Sequence, residues 1–147
     1  MDATREQIKS IIEANAEVFD DAFLMTNPSD EDIKKAEQEL GFKIPESYIW
    51  FLKQYGHGGF FFEFLGYGRT GNALFVKETL TEREKGLPDN LLVIENYDEY
   101  VKCINVDNGN IVSWSHYDND GVIMRYNSFE EYFMDCLNNA IDNYEDE

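Results

Sequence analysis

A chain of 147 residues, 43% hydrophobic and 15% aromatic, can close a sizeable core, which excludes wholesale disorder. Its charge is lopsided, with 30 acidic residues against 12 basic ones and a formal net charge of −18. Such a field repels phosphate backbones and anionic membrane surfaces, which are bound through Lys and Arg; it reads equally as a means of speeding encounter with a basic protein or of keeping the chain soluble.

Thr4 and Gln7 predict a capping-box opening for a first helix carried by Ile8, Ile11 and Ile12. Asn27-Pro28 breaks the chain before Ser29, an N-cap with Asp32 three residues on. Ile33, Ala36 and Leu40 then keep helical spacing until Gly41 ends the element. Pro45 suits the first turn of a third helix, where its missing N–H is no loss. Ile49, Leu52 and Tyr55, with Tyr48 and Phe51 beside them, give that helix a wide apolar face, and Trp50 lies off the stripe. Gly56 predicts a left-handed C-cap, and Gly58-Gly59 re-aim the chain into an aromatic strand over residues 60–65.

Residues 76–85 read equally as helix or loop. Residues 91–94 form a short apolar strand. Strands at 100–106 and 111–114 flank Asp107-Asn-Gly-Asn110, a hairpin signal because Asn-Gly tolerates positive φ. A strand at 122–126 follows the turn-like Asp118-Asn-Asp-Gly121. Ser128 with Glu131 caps a closing helix whose Phe129, Tyr132, Phe133, Cys136, Leu137 and Ile141 recur at core-facing intervals. Helices, then hairpin-connected strands, then a helix predict one α+β domain over residues 1–147, its sheet mainly antiparallel with helices packed on it.

The acidic start carries no secretory pattern, and no apolar run approaches the roughly 18 residues of a spanning helix. Cys103 and Cys136 read as small buried hydrophobes of a reducing compartment, so the expected location is the cytoplasm. The run Gly66-Tyr-Gly-Arg-Thr-Gly71 matches a dinucleotide fingerprint by letter. Asn72-Ala-Leu-Phe-Val after it has no N-cap and a strand-like start, which predicts a plain glycine loop and no nucleotide. A calcium loop at Asp118-Asn-Asp-Gly121 fails because His116 and Asn127 stand where carboxylates belong. The two histidines, His57 and His116, join no metal-spaced cluster, and no nucleophile elbow or low-pKa thiol motif is present. The expectation is therefore no catalytic residue, no metal and no cofactor.

Two clusters are candidates for binding. The tail over residues 142–147 carries four acids, although acids at a helix C-terminus oppose the macrodipole by about 0.3–1 kcal/mol each when exposed. Service to a partner would explain that cost, so Glu145, Asp146 and Glu147, with Asp118 and Asp120 in the turn, are candidate contacts. The glycine turn contributes the others: His57, where exposure is expected, with Phe60 and Tyr67.

Pro45, Tyr48, Phe51, Leu52 and Gly58-Gly59, with the 33–40 helix, the later hairpins and the closing aromatic helix, resemble the SUKH superfamily. That superfamily includes a yeast cell-wall regulator and many bacterial toxin-immunity proteins. The matching residues are structural: Pro45 starts a helix, Tyr48, Phe51 and Leu52 belong to it, and the two glycines make the turn. Size and acidity look like the Bacillus immunity proteins paired with LXG-type toxins, whose C-terminal domains are often nucleases. The resemblance implies a non-enzymatic antitoxin that binds a basic toxin domain, its acidic surface standing in for the polyanionic substrate. A regulatory scaffold for a cellular protein, as in the yeast relatives, is the alternative.

Overall fold

The computed structural model describes residues 3–117 and 121–145. Within them, helices α1 (Ala3–Ala14), α2 (Ala16–Phe19), α3 (Asp30–Leu40), α4 (Glu46–Gln54) and α5 (Leu74–Glu84) precede an antiparallel sheet, and α6 (Phe129–Glu145) follows it. The strands β1 (Leu91–Asn96), β2 (Val101–Asn105), β3 (Ile111–Trp114) and β4 (Ile123–Tyr126) pair as a meander in sequence order. The α+β reading holds. No helix among the described residues is long and apolar enough to cross a membrane.

Several elements form for the local reasons their residues suggest. Ser29 Oγ accepts from the Asp32 N–H at 3.1 Å and Asp32 accepts from the Ser29 N–H at 3.0 Å, closing the capping box of α3. Ser128 Oγ accepts from the Glu131 N–H at 3.1 Å and sets the phase of α6, which buries Phe129, Tyr132, Phe133 and Leu137. Three helix starts differ from expectation. Thr4 lies inside α1, which already runs at Ala3, so it is not the cap. Pro45 is the N-cap of α4, its carbonyl accepting from the Tyr48 and Ile49 N–H groups at 3.0 and 3.1 Å. The open stretch at 76–85 is helix, and α5 begins earlier still, at Leu74, whose N–H donates to the Gly66 carbonyl at 2.8 Å. The expected apolar face of α4 is buried at Tyr48, Phe51 and Leu52 and at Tyr55 just after it, and Ile49 is half-buried.

The core is aromatic. Phe51 meets Phe64 edge-on at 5.3 Å and 87°, Phe133 at 5.7 Å and 79°, and Phe129 at 5.9 Å and 71°. Phe64 in turn meets Phe133 at 5.2 Å and 90°. These are the edge-to-face geometries that ring quadrupoles favour, worth about 0.5–1.5 kcal/mol per pair beyond area burial. Arg5 ties three helices together, pairing with Glu130 of α6 at 3.0 Å and with Glu46 of α4 while lying over the Trp50 ring.

Residues 60–65 do not form the expected strand. Gly58 pairs with Phe64 through two 3.0 Å backbone bonds, as an isolated bridge, and the chain between them is a tight loop with Phe61 at φ +64. Positive φ at Gly58, Gly59 and Phe61 breaks any extended ladder. Phe62 and Phe64 still reach the core.

The sheet carries two bulges. Val93 pairs with Cys103 but Glu95 pairs with Lys102, so Ile94 is an extra residue; by the same count Arg125 is extra in β4. Leu52, fully buried, tests this packing. Leu52→Ala should cost about 2–5 kcal/mol in denaturant unfolding, and a variant as stable as the parent would mean that the α4 face is not packed as described.

Candidate functional site

At the β2–β4 end of the sheet lies a groove of about 1040 Å³, lined by Tyr100, Lys102, Trp114, Tyr117, Arg125 and Tyr126, with Asp98 and Glu99 at its margin. The bulge at Ile94 places Glu95 opposite Lys102, on the face that α6 covers with Tyr132. The Glu95 carboxylate is buried and accepts from the Tyr132 and Tyr97 hydroxyls. Burial pushes its pKa above the ordinary carboxylate value, and those two tyrosines, Lys102 and the Glu63 backbone oppose that push. The Lys102 ammonium sits 4.6 Å from the Tyr132 ring centre and 5.7 Å from that of Tyr97.

The walls come from short-range turn chemistry. Asn96 Oδ1 accepts from the Asp98 N–H at 2.7 Å, the Tyr97 N–H donates to the Tyr100 carbonyl at 2.9 Å, and the two rings stack at 5.1 Å and 21°. Ser115 Oγ donates to the Glu99 carbonyl at 2.6 Å and accepts from the Tyr117 N–H at 3.2 Å, leaving Tyr117 74% exposed. Arg125 Nε donates to Ser113 Oγ at 3.0 Å across the last strand pair.

The groove gathers aromatic rings, two cations and two carboxylates. Burial pushes the Cys136 thiol up to about 12 and raises that of Cys103, so neither is a reactive thiolate. Among the described residues no group of three or more His, Cys, Asp and Glu is placed to hold a metal ion. The glycine run at 66–71 does lead into a helix, α5, which corrects the expected strand-like start. Its backbone is committed, however: the Gly68 N–H donates to the Asn72 carbonyl at 2.9 Å and the Gly71 N–H to the Gly68 carbonyl at 3.0 Å. With an antiparallel sheet there is also no parallel βαβ unit to hold a pyrophosphate.

Of the expected contacts, His57, Phe60, Tyr67 and Glu145 lie among the described residues. His57 is only 7% exposed, which corrects the expectation of an open turn histidine. Its Nδ1 accepts from the Gly66 N–H at 3.0 Å and its Nε2 donates to Glu63 at 3.1 Å, so it braces the turn. Tyr67 is also buried, its hydroxyl donating to the Asp32 carbonyl at 3.0 Å. Phe60 is half-buried between Phe61 and Tyr144, at 4.5 and 6.2 Å. Asp118, Asp120, Asp146 and Glu147 lie outside the described residues, and Glu145 ends α6. Sequence reasoning missed the groove itself. One signal pointed to it: Lys102 and Arg125 are the only Lys or Arg after Lys85, and tyrosines at 97, 100, 117 and 126 surround them.

Two comparisons with known proteins bear on this arrangement. The family model described as SMI1-KNR4 cell-wall, SUKH_5, matches residues 7–138. The fold is also similar to that of a protein from Pseudomonas syringae pv. tomato, at a TM-score of 0.63 and 19% identity over 88% of this chain and 98% of that one.

Glu95 should leave a pH signature. A group whose pKa is higher in the folded state favours folding at low pH and loses that contribution as pH rises through the folded value. Urea unfolding between about pH 4 and 7 should therefore show Glu95→Gln gaining stability relative to the parent as pH rises. Parallel curves would mean that Glu95 titrates as an ordinary exposed carboxyl.

Proposed function

The chain belongs to the SMI1-KNR4 cell-wall (SUKH) family, and from that premise we propose that it is an immunity protein. In this reading the whole chain acts in the cytoplasm as one non-catalytic SUKH-like domain. It neutralises a cognate toxin by stoichiometric binding. The family match over residues 7–138 carries the proposal, because the family is associated with toxin partners. The net charge of −18 supports the class of partner, a basic nuclease domain that keeps a cationic groove for its phosphate substrate.

The physical division of labour follows from composition. Rim carboxylates at Asp118, Asp120, Glu145, Asp146 and Glu147 steer association, while aromatic anchors govern dissociation, as Tyr, Trp and Arg do at interface centres. Tyr100, Trp114, Tyr117 and Arg125 gather those residue types in one groove. The family's cell-wall description favours a second reading, a regulatory scaffold holding a cellular protein.

Co-expression with the protein encoded beside this chain separates the two readings, since an immunity protein restores growth and a scaffold does not. Association should be fast at low salt and slow markedly as salt rises, because screening shortens the field to about 8 Å at physiological ionic strength. Reversing the five rim charges together should weaken rescue while leaving thermal stability unchanged. Full protection by that variant, at an unchanged association rate, would place the contact elsewhere on the molecule.

A further inference from the structure

The last strand is built unlike the other three. β4 pairs with β3 on one side, and its other edge has no strand partner among the described residues. Ile123 is 39% exposed and Met124 52%, and adjacent strand residues point to opposite faces, so neither face of β4 is covered there. Val122 before them is exposed as well. Natural proteins blunt such edges with Lys, Pro, charge or a bulge. β4 is only four residues long and carries both its bulge and its one charge at Arg125, so its protection lies at that end, and residues 122–124 hold no Lys, Pro, charge or bulge. In a chain with 30 acids, residues 121–129 contain not one.

We propose that β4 is a docking edge, on which an extended segment of a basic partner protein pairs as a fifth strand. This rests on the immunity reading in one respect, that the partner is basic. Charge selects the occupant. A second copy of this chain would bring −18 against −18, whereas a basic segment meets a field of opposite sign. Lys102, over the Tyr97 and Tyr132 rings, and Arg125, bonded to Ser113, keep their charge and balance Asp98 and Glu99 locally, so the attraction for a basic segment comes from the net −18 of the whole chain. Backbone pairing along an edge supplies affinity with little demand on sequence, and alternate side chains of the added strand would enter the groove beside Ile123 and Tyr117.

The probe is a synthetic peptide of about ten alternating lysine and valine residues, with a glutamate–valine counterpart as control. Hydrogen exchange on the intact chain should show the lysine peptide slowing amides within 122–126, and the glutamate peptide leaving them unchanged. The double variant V122K/M124K, melting like the parent, should bind the lysine peptide about tenfold more weakly. Exchange in 122–126 unaltered by the lysine peptide, or slowed equally by both peptides, would overturn the proposal. So would a dimer in light scattering that dissolves in the double variant, since a second copy would then occupy the edge. In cells, loss of rescue by this variant, where the parent rescues against the protein encoded beside it, supports the edge. Rescue intact in the variant overturns the edge and leaves the immunity reading standing. Failure of the parent to rescue removes the immunity reading, and the peptide experiment then decides the edge alone.

Discussion

Between Gly56 and Gly66 the chain doubles back on itself at a distance that no side chain permits. A Cβ on Gly66 would lie 1.8 Å from the Gly56 carbonyl oxygen, and one on Gly58 2.3 Å from that of Ala22. This backbone crossing connects most of the other elements. The Gly66 carbonyl starts α5 by accepting from Leu74, the Leu65 N–H donates to the Ile94 carbonyl at 2.8 Å, and the Leu65 carbonyl accepts from the Tyr48 hydroxyl. One strap of backbone thus joins α4, α5 and β1 while delivering Phe62 and Phe64 beneath α6. His57 braces it from within, which explains why the histidine is buried rather than presented to solvent.

The consequences reach the far end of the sheet. Ile94, held by Leu65, is the residue that bulges from β1, and that bulge places Glu95 against Lys102 under Tyr132. A carboxylate buried in this way is satisfied by two phenols, and the same two rings lie beside the Lys102 ammonium. The rings on this side of the sheet are therefore held by core packing rather than by loose surface turns.

Coverage of the sheet is uneven. α6 packs over the β1–β2 side through Tyr132, and α5 reaches β1 through Thr79, whose hydroxyl accepts from the Val93 N–H at 3.0 Å. Trp114 in β3 is still buried, while Ile123, Met124 and Arg125 of β4 are exposed and Tyr126 reaches α6 through Tyr132 and Asp135. Burial that stops one strand short leaves apolar and aromatic surface where a soluble protein would ordinarily place charge.

Much of the architecture was legible in the residues. The α3 capping box, the Ser128 cap, the Asn-Gly hairpin and the left-handed Gly56 are local, and each element stands close to where those signals put it, because caps and turns are satisfied within a few residues of chain. Tertiary surroundings were not legible in the same way. The aromatic run at 60–65 has strand propensity but loops, since the close approaches at Gly58 and Gly66 are contacts with residues far along the chain or across a turn. Residues 74–76 look β-like yet are helical, because Gly66 supplies the partner for the Leu74 N–H that no local cap provides. The groove could not be seen from pattern alone: Tyr100, Lys102, Tyr117 and Arg125 are brought together by the pairing of β2, β3 and β4. Sequence by itself determined the acidic charge, the layout of helices, hairpin-connected strands and closing helix, and the aromatic core, which depend on composition and on neighbours along the chain. Tertiary structure alone decided that His57 and Tyr67 are buried and that β4 is exposed, because burial depends on which distant surfaces meet.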